Sequence, residues 1–150
     1  MHPHQNKITR SEAKLPLFVG VDLGGTTVKL GVVDDNGRTL SFHRLSTHAV
    51  LGPEQGAQRM GRAVLESIEE AGTHPGEIVR VGLGSPGTMD LATGMLQQPP
   101  NLPGWENFAI RDRLSHHCGL PVTLANDGAA AAASSPALPS VGRPRATSQA

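Results

Sequence analysis

Cysteine and any imbalance of charge are what this sequence has least of. One cysteine, Cys118, excludes an internal disulfide and is typical of a reducing compartment. Thirteen basic residues balance thirteen acidic ones, so no excess field attracts nucleic acid or an anionic membrane surface. No stretch approaches the roughly 18 apolar residues of a membrane span, and the first residues lack the pattern of a signal peptide. We therefore expect a cytoplasmic protein with neither nucleic acid nor membrane as a partner.

The length and composition of the chain predict one folded domain with polar ends. The chain has 150 residues, of which 37% are hydrophobic and 18 are glycine, as in globular proteins. Residues 1–16 are polar without an apolar period, which predicts a flexible head. Residues 129–150 contain alanine, serine, proline and arginine but no acidic or aromatic residue, which predicts a disordered tail. The predicted folded domain is 17–128.

A glycine-rich stretch at residues 19–34 predicts a hairpin that can hold a phosphate. Its two apolar strands are joined by two glycines and two threonines: Gly24, Gly25, Thr26 and Thr27. Glycine permits a positive φ and a close backbone approach, so several N–H groups can point at one anion. Asp22, at the end of the first strand, can serve Mg²⁺ directly or through water. An ordinary hairpin with a glycine turn is the alternative, but the full pattern Asp-x-Gly-Gly-Thr-x-x-x-x-Gly-x-x-Asp favours the phosphate site.

The remaining periodicity predicts a mixed α/β sheet. An Asn-Gly turn at residues 36–37 returns a third strand over 38–46, which makes an antiparallel three-stranded start. A helix from Pro53 to about residue 71 precedes a strand at 78–84, which we expect to run parallel to the first. A second helix from Asn107 or Phe108 to Cys118 precedes a short strand at 121–125, and Asn126 and Asp127 stand at its end.

Gly82, Gly84 and Gly87 match the dinucleotide-binding fingerprint G-x-G-x-x-G. The fingerprint requires a helix directly after the loop, whereas Pro86 and the expected turn at 90–94 argue against one. A nicotinamide-dependent enzyme is therefore a weaker alternative.

His116, His117 and Cys118 suggest a metal site by composition alone. Adjacent side chains on a helix point in different directions, so we expect a solvated surface pair of histidines.

Four stretches together resemble the N-terminal part of ROK-family sugar kinases, the bacterial glucokinase type within the actin, hexokinase and Hsp70 superfamily. In order along the chain they are Asp22 to Thr26 with Gly31 and Asp34, Gly82 to Asp90, Pro100 to Trp105, and Leu120 to Asp127. The resemblance spans nearly all of 17–128. It implies an RNase H-like α/β fold, with antiparallel strands first and parallel strands flanked by helices afterwards.

The resemblance also implies roles for individual residues. The residues Gly24, Gly25, Thr26 and Thr27 correspond to the first phosphate loop of the ATP site, with Asp22 near the Mg²⁺. Asp127 corresponds to the catalytic base and Asn126 to a ligand of a sugar hydroxyl. Gly87, Thr88 and, less directly, Pro100 and Asn101 occupy the loops that close over the sugar. The alternative for Asn126 and Asp127 is a helix N-cap before the alanine run.

The implied function is ATP- and Mg²⁺-dependent phosphorylation of glucose or a related hexose. Family members continue into a C-terminal domain with further sugar ligands, a zinc-binding cluster, the adenosine pocket and most of the dimer interface. The tail after Gly128 has neither the length nor the composition of that domain, so we expect a shortened or frame-shifted chain with little or no activity alone. A non-catalytic sugar-binding or regulatory module is the alternative. DNA binding is disfavoured because a 16-residue head is too short for a helix-turn-helix.

Overall fold

A computed structural model describes residues 7–85 and 87–125. The strands are β1 (Leu17–Leu23), β2 (Thr27–Val33), β3 (His43–Ser46), β4 (Ile78–Gly84), β5 (Thr88–Asp90), β6 (Met95–Gln98) and β7 (Val122–Ala125). The helices are α1 (Pro53–Glu70) and α2 (Ile110–Cys118), with short 3-10 turns at Arg10–Glu12, Ala49–Leu51 and Pro75–Glu77. No helix in these described ranges is long and apolar enough to cross a bilayer.

Five of the strands form one mixed sheet in the order β3-β2-β1-β4-β7. The central strand β1 pairs antiparallel with β2 and parallel with β4, while β7 pairs parallel with β4. β2 and β3 are antiparallel. The predicted antiparallel start followed by parallel strands is therefore confirmed, and the parallel strands bring their C-terminal ends to one edge of the sheet.

The hydrophobic core lies between one face of this sheet and the two helices. Alternate residues of the central strands are buried on that face: Val19, Val21, Leu23, Val28, Leu30 and Val32. The helices supply the opposing layer, with Met60, Val64 and Ile68 from α1 and Ile110 and Leu114 from α2. Each fully buried aliphatic side chain contributes about 1.5–3 kcal/mol relative to exposure, so this layer holds the helices on the sheet.

Helix α1 begins and ends where the sequence predicts. Pro53 occupies the first turn, where a missing N–H costs nothing. Gly72 follows the helix with φ of 79°, and the N–H of Thr73 donates to the carbonyl of Ile68 at 3.3 Å. This is the left-handed helix stop that glycine supports without a Cβ penalty.

Three parts of the predicted pattern differ from the structure. The third strand is shorter than 38–46, because the Oγ of Ser41 takes the N–H of Val32 at 3.2 Å and interrupts the ladder. Residues predicted as loop form the two-stranded sheet of β5 and β6. Helix α2 begins after Phe108, because the carbonyl of Phe108 accepts the N–H of Leu96 at 2.9 Å.

The described part of the head, residues 7–16, is tied to the domain. The N–H of Ile8 donates to the carbonyl of Thr39 at 2.9 Å, and the N–H of Lys14 donates to Asp34 Oδ2 at 3.0 Å. Arg10 pairs with Glu77 at 2.6 Å and lowers the pKa of that carboxyl to about 2. The polarity of the head does not predict these contacts, because each contact joins residues at least 20 positions apart in the sequence.

Candidate functional site

The C-terminal edge of the parallel strands gathers the residues with predicted chemical roles. Asp22 of β1 is in register with Gly84 of β4, and Gly84 is in register with Ala125 of β7. Asn126 and Asp127 follow Ala125 directly but lie outside the described residues. The structure thus places the strand that leads into the predicted base two strands away from Asp22.

A tight turn at residues 24–27, here called the glycine turn, connects β1 and β2. The N–H of Gly24 donates to the carbonyl of Thr27 at 3.0 Å. Neither Gly24 nor Gly25 has a positive φ, so the expectation that these glycines serve by their conformational freedom is wrong. Close approach is what requires them, because a Cβ on Gly24 would lie 2.8 Å from the carbonyl oxygen of Thr27.

Three carbonyls of the glycine turn accept hydrogen bonds, whereas two of its N–H groups have no acceptor among the described residues. The carbonyl oxygens of Gly24, Thr26 and Thr27 accept hydrogen bonds of 2.7, 2.8 and 3.0 Å respectively. Within the described residues, the N–H groups of Gly25 and Thr26 have no acceptor. A turn with engaged carbonyls and free N–H groups presents partial positive charge, which is the polarity an anion needs.

Residues 100–101 contact two separate stretches of the chain, one of which is the glycine turn. A Cβ on Gly25 would lie 2.6 Å from the Cβ of Asn101, which itself has φ of 63°. A Cβ on Gly87 would lie 2.5 Å from Cδ of Pro100. The structure therefore places Asn101 against Gly25 and the preceding residue, Pro100, against Gly87. Thr88 follows Gly87 as the first residue of β5, and Pro86 lies outside the described residues.

Asp22 carries an exposed carboxylate beside this turn. Its register partner on β2 is Lys29, yet within residues 7–85 and 87–125 no hydrogen bond or ion pair engages the Asp22 side chain. A carboxylate left free at a predicted phosphate site has the oxygen donors that Mg²⁺ prefers, so this residue fits the predicted metal.

Thr47 is a residue of the site that sequence patterns do not reveal. It is 2% exposed, its Oγ1 donates to the carbonyl of Gly24 at 2.7 Å, and its N–H donates to the carbonyl of Thr26 at 2.8 Å. Arg59 of α1 in turn donates to the carbonyl oxygens of Ser46 and Thr47 at 2.8 and 3.0 Å. Because the contacts of Thr47 with the glycine turn cross more than 20 residues of sequence, no local pattern predicts them.

Residues 99–107, here called the Trp105 loop, are held by buried side chains. Leu102 and Trp105 are both 0% exposed, so they anchor the loop to the core. The indole N–H of Trp105 donates to the carbonyl of Ala49 at 3.0 Å. A Cβ on Gly56 of α1 would lie 2.3 Å from the indole ring, so this glycine makes room for the tryptophan.

A polar cavity of about 520 Å³ lies next to the predicted sugar loops. Its lining is Thr88, Gln97, Gln98, Glu106 and Asn107. Thr88 is the one member that the sequence assigns to a site. Amide, hydroxyl and carboxylate groups are the usual partners of sugar hydroxyls.

The two other motifs singled out from the sequence have structural explanations. His117 pairs with Glu54 at 2.7 Å, and burial raises the pKa of the Cys118 thiol. In the described part of the chain no group of three or more histidine, cysteine or acidic residues could hold a metal. Strand β5, not a helix, follows Gly87, as expected from the weakness of the dinucleotide fingerprint.

Comparison with known proteins finds relatives of the chain in both sequence and fold. A sequence model described as "ROK family" matches residues 18–138. The chain is 36% identical over 110 residues to a glucokinase of Thermotoga maritima, an alignment covering 73% of this chain and 33% of that protein. The fold matches the ROK hexokinase of Thermus thermophilus with a TM-score of 0.66 and 37% identity, over 73% of this chain and 35% of that one.

A further solved structure shares both fold and sequence with the chain. A ROK family glucokinase from Streptomyces griseus, in complex with glucose and AMPPNP, matches with a TM-score of 0.57 and 32% identity, over 73% of this chain and 33% of that one. The chain spans about a third of the length of these relatives.

Proposed function

The chain belongs to the ROK family, and on that premise we propose that it forms the phosphate-binding and sugar-closing part of an ATP-dependent hexose kinase. Two relatives that are at least 35% identical to it are a glucokinase and a ROK hexokinase. Their chemistry is the transfer of a phosphoryl group to a sugar hydroxyl, which needs a phosphate cradle, a metal and a proton acceptor.

The contact between Gly25 and Asn101, next to the contact between Pro100 and Gly87, is the observation that supports this proposal. The phosphate and sugar motifs lie far apart in sequence, and a purely structural hairpin would have no reason to meet both. The contact between Gly25 and Asn101 supports an arrangement in which the glycine turn lies beside the loops that we assign to the sugar. Such a juxtaposition is what in-line transfer requires, because donor phosphate and acceptor hydroxyl must be neighbours.

The proposed roles follow from the chemistry of each group. The glycine turn binds the phosphates through the N–H groups of Gly25 and Thr26, with Thr27 completing the turn. Asp127 accepts the proton of the sugar hydroxyl, and Asn126 orients the sugar. Gly87, Thr88 and Asn101 close over the hexose.

Mg²⁺ and ATP are the cofactors of this proposal. Asp22 would hold the metal, directly or through water, because its carboxylate is exposed and unpaired among the described residues. The bound ion would spread the negative charge of the transferring phosphoryl group.

Binding and turnover test the proposal separately. We expect the chain to bind both glucose and Mg²⁺·AMPPNP in calorimetry. We also expect Asp127→Asn to leave both affinities within about threefold while it removes any sugar-dependent ADP release. Turnover that survives Asp127→Asn would contradict the assigned base. Binding of NAD(H) in preference to AMPPNP would contradict the kinase assignment altogether.

A non-catalytic sugar-binding or regulatory module remains the second candidate from sequence. It differs from the kinase in one measurable respect, since it would bind glucose without binding the nucleotide. The free N–H groups of the glycine turn support the kinase over this module, because a sugar-only module has no use for an anion cradle.

A further inference from the structure

We propose that Thr47 is a positioning residue for phosphate binding: it sets the direction of the N–H of Gly25 by holding the carbonyl of Gly24. This inference rests on the proposed function of the glycine turn. It concerns a side chain that lies outside the turn and acts through its contacts with the turn's carbonyls.

The planarity of the peptide bond carries the first step. In a trans peptide the C=O of one residue and the N–H of the next point in opposite directions on one plane. The Oγ1 of Thr47 donates to the carbonyl of Gly24 at 2.7 Å. This hydrogen bond fixes the orientation of the peptide plane, with its carbonyl oxygen directed toward Thr47. The N–H of Gly25 is therefore directed away from the body, and it has no acceptor within the described residues.

The charge of the carbonyl oxygens carries the second step. A carbonyl oxygen that faced a phosphate would repel it, whereas an N–H attracts it. Thr47 engages two carbonyls of the turn, Gly24 through its hydroxyl and Thr26 through its backbone N–H at 2.8 Å. Thr47 therefore keeps these two carbonyl oxygens engaged and directed away from a bound phosphate.

The setting of Thr47 gives it the rigidity that positioning needs. Thr47 is 2% exposed, so its hydroxyl does not exchange its partner for water. Arg59 holds it from α1, donating to the carbonyl oxygens of Ser46 and Thr47 at 2.8 and 3.0 Å. The glycine turn is in this way connected to the core helix through two side chains.

Conservative substitutions of Thr47 separate its hydroxyl from its bulk. Thr47→Val keeps the shape and the backbone N–H but removes the Oγ1 donor, while Thr47→Ser keeps the donor. Thr93 is exposed and its side chain makes no hydrogen bond in the described chain, so Thr93→Val is the matched control. The probes are inorganic triphosphate and glucose, each titrated calorimetrically into the purified 150-residue chain.

We expect Thr47→Val to weaken triphosphate binding about tenfold, as the loss of one directed, charge-assisted hydrogen bond does. Thr47→Ser should stay within about twofold of the wild type and Thr93→Val should match it. The affinity for glucose should stay unchanged in all three variants. A general loss of structure would instead weaken the binding of both ligands.

Two results would overturn the inference, and they point to different errors. Triphosphate binding by Thr47→Val as tight as by the wild type would refute the positioning role and leave the proposed function standing. A wild-type chain that binds no triphosphate would refute both. If Thr47→Val does not fold, Arg59→Met replaces it, with an expected two- to threefold loss of triphosphate affinity and no loss of glucose affinity. Unchanged triphosphate binding by Arg59→Met would then refute the positioning role.

Discussion

The glycine turn and the Trp105 loop face each other across a contact between Gly25 and Asn101, yet they are held by opposite means. The turn is held through its backbone, by strand pairing on both sides and by hydrogen bonds to three of its carbonyls. The loop has no strand or helix, and two of its asparagines, Asn101 and Asn107, have φ of 63° and 58°. A buried tryptophan holds it instead.

The difference teaches how each side of a site can fail. A backbone-held turn tolerates changes to its neighbours, because its hydrogen bonds are distributed over several peptide groups. A loop held mainly by buried side chains loses its position when its largest anchor is lost, because left-handed asparagines cost energy that the anchors must offset. The predictions below test this contrast, beginning with the largest effect.

Trp105→Ala should break the loop side of the comparison. Truncation of a fully buried tryptophan costs about 3–5 kcal/mol of unfolding free energy, and here the N–H donated to Ala49 is lost as well. Urea denaturation followed by circular dichroism measures the loss, since Trp105 is the chain's one tryptophan and cannot report on its own removal. Trp105→Phe, which lacks the N–H but keeps an aromatic ring, should cost less. Equal destabilisation of the two variants would show that ring volume is irrelevant.

Gly25→Ala should break the contact between the two regions. Its Cβ would lie 2.6 Å from the Cβ of Asn101, an overlap that typically costs about 1–3 kcal/mol. Adding Asn101→Gly removes one of the clashing atoms and suits the local φ of 63°, so the double variant should recover part of the loss. Trp105 fluorescence during urea unfolding gives both values.

Gly37→Ala is the reference for Gly25→Ala. Gly37 has φ of 78° and nothing within 4 Å of its Cβ position, so its substitution costs only backbone strain, about 1–2 kcal/mol. Asn101→Gly should not rescue it. Strictly additive effects of Gly25→Ala and Asn101→Gly would show that the two regions do not touch.

Glu54→Gln should produce the smallest effect, in the ion pairs that join α1 to α2. Arg113, then His117, lower the pKa of Glu54 to about 2, against an ordinary value near 4.5. A lowered folded-state pKa stabilises the fold above the unfolded value, and that contribution is lost as the pH falls from about 4.5 to about 2. The carboxylate is 51% exposed, so solvent screening keeps the effect below about 1 kcal/mol.

The pH dependence of unfolding checks this expectation. The difference in unfolding free energy between wild type and Glu54→Gln should be largest near pH 6 and should shrink toward zero near pH 2. A difference that grew on acidification would mean that the carboxylate is not the stabilising form.

Local patterns predicted the parts of the fold that depend on neighbours in sequence. The tight turn after Asp22, the helix from Pro53 and the glycine stop at Gly72 follow from residues a few positions apart, and all three are present. The turn expected at 90–94 joins β5 to β6, but the pairing of these strands was not predicted, because each strand is only three or four residues long.

The site was predictable only as far as motifs reach. The pattern around Asp22 predicted the phosphate hairpin and allowed its glycines both a positive φ and a close approach, but it could not show that only the close approach is used. Spatial crowding by Thr27 and Asn101 is the actual reason, and no sequence pattern shows it. Thr47 and Gly56 were missed for the same cause, since each acts on a partner more than 20 residues away.

The position of β1 at the centre of the sheet has a consequence for the order of folding. β1 pairs with β2 across the glycine turn, whereas its parallel partner β4 lies beyond α1 in the sequence. Local hairpins form in about 1–10 μs, and non-local parallel pairing is slower because a long loop must close first. We therefore expect the strands around the glycine turn to associate early. We expect the Trp105 loop to dock only after α1 has formed, because Trp105 packs against Gly56 of α1. The glycine turn should therefore form before the loop that contacts it.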